Sequence, residues 1–268
     1  MSTAPVALSQ PSEKMVSETF RRAWARADRG AALHLDPLSE AIAGVLYPLL
    51  PALAGQRILE AGSGKGMISA LLAQRGYKVT LLDTSREALE ISREVFRARQ
   101  CRFRAVHGSL FALPAPDGFY DVIWNAGVLE HFYFHEQVEA LRELLRALKP
   151  EGRLITLNPS ARGWIYRAGK AIAERRGTWG VGQEFPVHSL RKHCEALGAK
   201  LVEERDVLPE FQFRFFGKYG EPFFALGRKS PTIRSAYLKA LGGYLKLSVI
   251  EKGKRLGRGV GIGRESAE

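Results

Sequence analysis

The run Ile58-Leu59-Glu60-Ala61-Gly62-Ser63-Gly64-Lys65-Gly66 sets a short apolar segment before three glycines at alternate positions. Glycines let the chain turn tightly and let a ligand approach the backbone. A helix starting behind such a turn offers unpaired N–H groups to a polar or anionic ligand. Asp83 follows about 20 residues later, at the end of what reads as the next strand, where a carboxylate can accept both ribose hydroxyls of an adenosine. His131 comes just after a further β-rich run, and a neutral imidazole there could take a proton from a nucleophile or hold it in line. Both side chains have structural alternatives: a helix-start carboxylate for Asp83, and a backbone-bonded helix-start imidazole for His131. Trp24, His34 and His135 are secondary candidates, each read first as a packing or surface residue.

Other chemistries lack their signatures. No H-E-x-x-H motif, calcium loop or cysteine cluster occurs, so no metal centre is expected, and Gly62-Ser63-Gly64 lacks the G-x-S-x-G spacing of a nucleophile elbow. After Gly64 the chain runs Lys65-Gly66-Met67, which disfavours the dinucleotide fingerprint G-x-G-x-x-G.

The elements that must position these groups alternate between β-rich runs and helical periodicity. Strands are expected over 57–61, 78–83, 101–107, 120–125, 152–158, 200–206 and 244–251, with helices over 67–74, 86–99, 136–148 and 186–197. Thr84 with Glu87 reads as a capping box for the second of these helices. Residues 149–152 read as a turn, and 12–28 and 37–50 as helices ahead of the core. The expected layout is an N-terminal helical cover over 1–54 and an α/β core over 55–251 with insertions at 160–184 and 207–241. A flexible tail is expected over 252–268.

Of 268 residues, 46% are hydrophobic, enough for a sizeable core and against disorder; the two cysteines, Cys101 and Cys194, favour a reducing cytoplasm. Met1 to Gln10 lacks the basic start and long apolar run of a secretory signal, and the uncharged stretch between Glu40 and Arg57 is too short and too proline-interrupted to span a bilayer. The net charge is +12, and residues 161–268 hold 21 Lys and Arg against 11 Asp and Glu, or +10 of it. Such asymmetry points to an anionic partner, with a solvated basic surface as the plain alternative.

The glycine turn, Asp83, the segment Gly108-Ser109-Leu110-Phe111-Ala112-Leu113-Pro114, the run Tyr120 to Phe132 and the turn Leu148 to Leu154 occur in an order that resembles the class I S-adenosylmethionine-dependent methyltransferases, particularly those that modify small molecules and lipids. The resemblance covers roughly residues 57–158. It implies a doubly wound, mostly parallel seven-stranded α/β sheet with one antiparallel strand near the C-terminus. It also implies S-adenosyl-L-methionine as cofactor, held by Glu60, Gly62, Gly64, Gly66, Asp83, Thr84, Ser109, Leu110 and Asn125. Ser109 stands where family members often have an aspartate for the adenine amino group. His131 is the candidate catalytic residue. Ala126-Gly127-Val128 after Asn125 lacks the Pro-Pro-aromatic run expected of enzymes that methylate base amino groups. The reading is a methyltransferase for a small molecule that is lipid-linked or anionic, cytoplasmic and able to touch an acidic membrane peripherally. An RNA-binding methyltransferase and a non-catalytic cofactor-binding scaffold are the alternatives.

Overall fold

Strand β1 (Arg57–Ala61) has four consecutive buried residues, as a parallel strand covered on both faces requires. It is an interior strand of a seven-stranded sheet with β2 (Lys78–Asp83), β3 (Phe103–His107), β4 (Tyr120–Ala126), β5 (Leu148–Pro159), β6 (Lys200–Val207) and β7 (Leu245–Glu251). The spatial order is β3-β2-β1-β4-β5-β7-β6. Neighbours are parallel except that β7 runs antiparallel to both β5 and β6. The computed structural model describes residues 13–52 and 55–253, so the expected tail lies almost wholly outside the described residues.

Alternate side chains of each strand feed two cores. Ile58, Leu81, Trp124, Ile155 and Leu247 pack with helices α3 (Pro37–Leu46), α4 (Met67–Ala73) and α5 (Arg86–Ala98) on one face. Leu59, Ile123, Leu154 and Ile250 pack with α6 (Phe134–Ala147) and α8 (Arg191–Leu197) on the other. Ahead of the core, α1 (Glu13–Ala25) and α2 (Arg29–Leu33) precede α3, and α1 buries none of its residues. Among the described residues no helix is long and apolar enough to cross a membrane.

Strand order reverses around β1, whose neighbours are β2 and β4, and this switch point opens a crevice beyond the strands' C-terminal ends. Because β6 pairs antiparallel with β7, which is itself antiparallel to β5, β6 points the same way as β5. The segments after both strands therefore leave at the crevice edge. After β5 comes α7 (Trp164–Arg175). After β6 come a 3-10 segment (Pro209–Tyr219), α9 (Glu221–Lys229) and α10 (Pro231–Leu241).

Three local expectations are corrected. The α5 cap is Ser85, not Thr84: its Oγ accepts from the Ala88 amide at 3.1 Å, while Asp83 Oδ1 takes the Ser85 amide at 2.8 Å, and the helix itself starts at Arg86 as expected. Strand β5 begins at Leu148, with residues 149–152 absorbed as an irregularity in its pairing with β4. Residues 186–190 are not helical: Val187 bridges to Ser160, and α8 starts only at Arg191.

One buried contact ties fold stability to pH. His193 donates from Nε2 to Gln137 Oε1 at 2.7 Å, and the Gln137 amide donates to the carbonyls of Leu129 and Phe132. Burial pushes the His193 pKa down to about 4. The unfolded chain takes the proton near pH 6.5 and the folded chain does not, so stability is present above that pH and is lost as pH falls toward 4, by at most about 3 kcal/mol. Urea unfolding at a series of pH values should show this loss, and His193→Asn should flatten it.

Candidate functional site

The turn after β1 is tied to β2 by the amides of Gly62 and Ser63, both donating to the Leu82 carbonyl at 2.8 and 3.0 Å. The Gly64 amide donates to Asp83 Oδ2 at 2.8 Å. Gly62, Gly64 and Gly66 all take positive φ, of 75°, 51° and 64°. The turn is also enclosed from outside the core. A Cβ on Gly62 would stand 2.6 Å from Val128, and one on Gly64 would stand 2.6 Å from the Trp24 ring of α1. Lys65 reaches from the turn to Asp36 at 3.0 Å, and Asp36 caps α3 through the Ser39 amide.

These groups bound a cavity of about 300 Å³. Its walls are the turn with Glu60, then Asp83 and Thr84 at the end of β2, Gly108 and Leu110 after β3, Ala126 at the end of β4, and Gly127, Val128, His131 and Phe132 after it. Val16, Phe20 and Trp24 of α1 form the roof. Glu60 is buried, its Oε2 lacks a hydrogen-bond partner, and burial pushes its carboxyl up to about 8. Burial also raises Asp83, against the Gly64 and Ser85 amides that favour its charged form.

Two of the expected residues are not brought to the cavity wall. Ser109 turns its hydroxyl back to accept from the Phe111 amide at 2.9 Å. Asn125 is buried in β4, with neither amide atom bonded. Among the secondary candidates, Trp24 lines the cavity, whereas His34 and His135 are exposed.

His131 ends a 3-10 turn (Leu129–His131) and is 4% exposed. Its Nδ1 lies 2.8 Å from the Gln183 carbonyl, which can only accept, so Nδ1 carries the proton and Nε2 keeps its lone pair. Burial lowers its pKa, and the positive charge of Lys170 adds to this. The imidazole is therefore neutral. The Phe20 ring packs against it in an edge-on arrangement with centroids 4.9 Å apart, and His131 lines both the main cavity and a smaller recess that Met15, Thr19 and Val181 also line.

The segment after α7 is part of this site. The Phe185 amide donates to the Glu130 carbonyl at 2.6 Å, and Glu184 accepts from the Tyr166 hydroxyl at 2.5 Å. Nothing in the sequence marks this approach, since it joins residues 52 apart that share no motif spacing.

Residues 59–156 match the family described as Methyltransferase domain. The malonyl-[acyl-carrier protein] O-methyltransferase of Serratia marcescens is 29% identical over 194 residues, covering 72% of this chain and 71% of that protein. The geranyl diphosphate C-methyltransferase of Streptomyces coelicolor A3(2), solved with Mg2+, geranyl diphosphate and S-adenosyl-L-homocysteine, superposes with a TM-score of 0.60 at 18% identity. The match covers 90% of this chain and all (100%) of that one. The [4+2]-cyclase SpnF gives 0.62 at 18% identity, covering 94% and 99%.

Proposed function

Because this chain is a class I S-adenosylmethionine-dependent methyltransferase, we propose that its methyl acceptor is a small molecule joining an apolar, lipid-like part to an anionic one. Its cofactor is S-adenosyl-L-methionine, and the residues present fit that molecule. The cavity wall offers buried polar atoms without partners, Glu60 Oε2 and Ser63 Oγ, beside the Asp83 carboxylate and a turn whose close neighbours require glycine. When bound, the sulfonium supplies a methyl group that leaves sulfur as the acceptor's electron pair forms the new bond, giving a neutral thioether. The chain's own part is to hold both partners in a closed cleft and to remove the acceptor's proton. Glu60, Gly62, Gly64, Gly66, Asp83, Thr84 and Leu110 stand where they can hold the cofactor. His131 Nε2 takes the proton.

The observation that carries the acceptor class is the helical layer after β5 and β6 at the crevice edge. Part of its aromatic content is packing: Phe211 and Phe224 are buried against each other, and Phe215 lies against Tyr166 and Tyr244. The remainder faces outward. Trp164 (66%), Tyr219 (75%) and Phe223 (51%) are exposed among the exposed cations Arg214, Lys218, Arg228 and Lys229. Aromatic faces suit the apolar part of such an acceptor and the cations its anionic part. Malonyl groups and geranyl diphosphate, named for the similar proteins, are both anionic. The same cations suit peripheral contact with an acidic membrane.

The test is incubation with methyl-labelled cofactor and separate lipid, small-metabolite, RNA and protein fractions. Label is expected in the lipid or small-metabolite fraction. The variant with Arg214, Lys218, Arg228 and Lys229 changed to serine should raise KM for that acceptor while keeping S-adenosylhomocysteine affinity. Label confined to RNA or protein would overturn the acceptor class, and cofactor binding without label in any fraction would favour a scaffold.

A further inference from the structure

Glu130, His131 and Glu184 meet beside the cavity, with one ligand-type atom from each lying within 4.8 Å of the others. Glu130 is 2% exposed; its Oε2 has no hydrogen-bond partner, and its Oε1 stands 3.9 Å from His131 Nε2. With Nδ1 committed to Gln183, the atom His131 turns toward Glu130 is an unprotonated nitrogen. Two carboxyl groups and a lone pair thus converge, and the donors near them are few. The Tyr166 hydroxyl bonds Glu184, while the positive charges of Lys170, itself paired with Glu174, and of Arg167 act on Glu184 without bonding it. Such a convergence is unfavourable unless protons or a cation lie between the groups; burial raises the pKa of both carboxyls, and the charge of Glu184 adds to this at Glu130.

We propose that Glu130, His131 and Glu184 bind one divalent cation of the Mn2+ or Zn2+ class, whose open positions take an oxygen of the methyl acceptor. Imidazole with two carboxylates suits these ions better than Ca2+, and three protein ligands leave coordination positions free. Donor atoms about 2.0–2.3 Å from an ion lie about 3–4 Å apart, so a contraction of about 1 Å among the three side chains completes the site. The proposal rests on the acceptor meeting His131, and it refines how its proton leaves. Coordination lowers the pKa of the acceptor oxygen. In the loaded protein Nε2 is a ligand and the acceptor's proton passes to water as its oxygen binds the ion; in the cation-free protein Nε2 takes the proton itself. A cation also reconciles a buried acidic cluster with an anionic acceptor, which the bare carboxylates would repel.

The site needs residues from two distant segments, so sequence spacing could not reveal it. The test is titration of Mn2+ into the full chain, followed by calorimetry and by loss of the free-ion electron paramagnetic signal. One ion per chain is expected, with a rise in Tm. Glu130→Gln and Glu184→Gln should each weaken Mn2+ by at least about 100-fold, the upper range for losing even an outer partner of a metal site. Their S-adenosylhomocysteine affinity should stay at the wild-type value, which also shows that both variants fold. Absence of Mn2+ binding in the wild type, or equal affinity in both variants, overturns the site. Methyl transfer by chelator-treated protein would then still stand, so the cation site and the methyltransfer reading fail separately.

Discussion

Gly64→Val is expected to lower S-adenosylmethionine affinity by at least about 100-fold, equivalent to about 2.7 kcal/mol, with the fold retained. At φ 51° a branched residue pays about 1–2 kcal/mol for left-handed backbone alone. Its Cβ would also stand 2.6 Å from the Trp24 ring, so the ring or the turn must move. Either movement deforms the cavity, since Gly64 and Trp24 both line it and touch each other. The fold should survive because Trp24 belongs to α1, which buries no residue and can shift. Calorimetry with cofactor and a urea unfolding curve check the two halves. Affinity equal to wild type would remove the turn from the binding site.

His131→Ala is expected to lower turnover by about 100-fold or more, the range for losing a general base, with cofactor affinity nearly intact. The pH profile separates this from simple misfolding. A base must be neutral to act, and burial holds the His131 pKa below its usual 6.5. In chelator-treated wild-type protein, where Nε2 is free, the acidic limb should therefore fall below pH 6.5, and it should vanish in the variant's residual activity. Turnover unchanged on the true acceptor would return His131 to a structural role, that of fastening the segment 181–185 through Gln183.

What could be read from the sequence was local. Glu60, the three glycines and Asp83 are linked by one strand, one turn and the next strand, and their spacing alone foretells that Gly64 and Asp83 meet. The α5 cap was off by one residue because Asp83 competes for the Ser85 amide, a side-chain choice that a spacing rule does not contain. The helices after β6 gave no clear stripe: α10 buries none of its residues, so it has no apolar face to show a period. Ser109 fits the adenine-contacting motif by position, yet its hydroxyl closes its own turn on Phe111. The acceptor side was least legible, since Gln183 and Glu184 reach His131 only through the tertiary path of the first insertion.

The place of β7 also governs how the molecule is made. It is the last strand among the described residues, yet in the sheet it lies between β5 and β6. Strands β3, β2, β1 and β4, with the glycine turn and Asp83, find all their neighbours except β5 within the first 126 residues. A nascent chain can therefore assemble its cofactor half early in translation. Strand β6 has no partner until residues 245–251 have left the ribosome, because β7 is the strand it pairs with. Until then β5 and β6 are both open edges, prone to pairing with other chains. The sheet beyond β5 is thus completed only once residues 245–251 have been made.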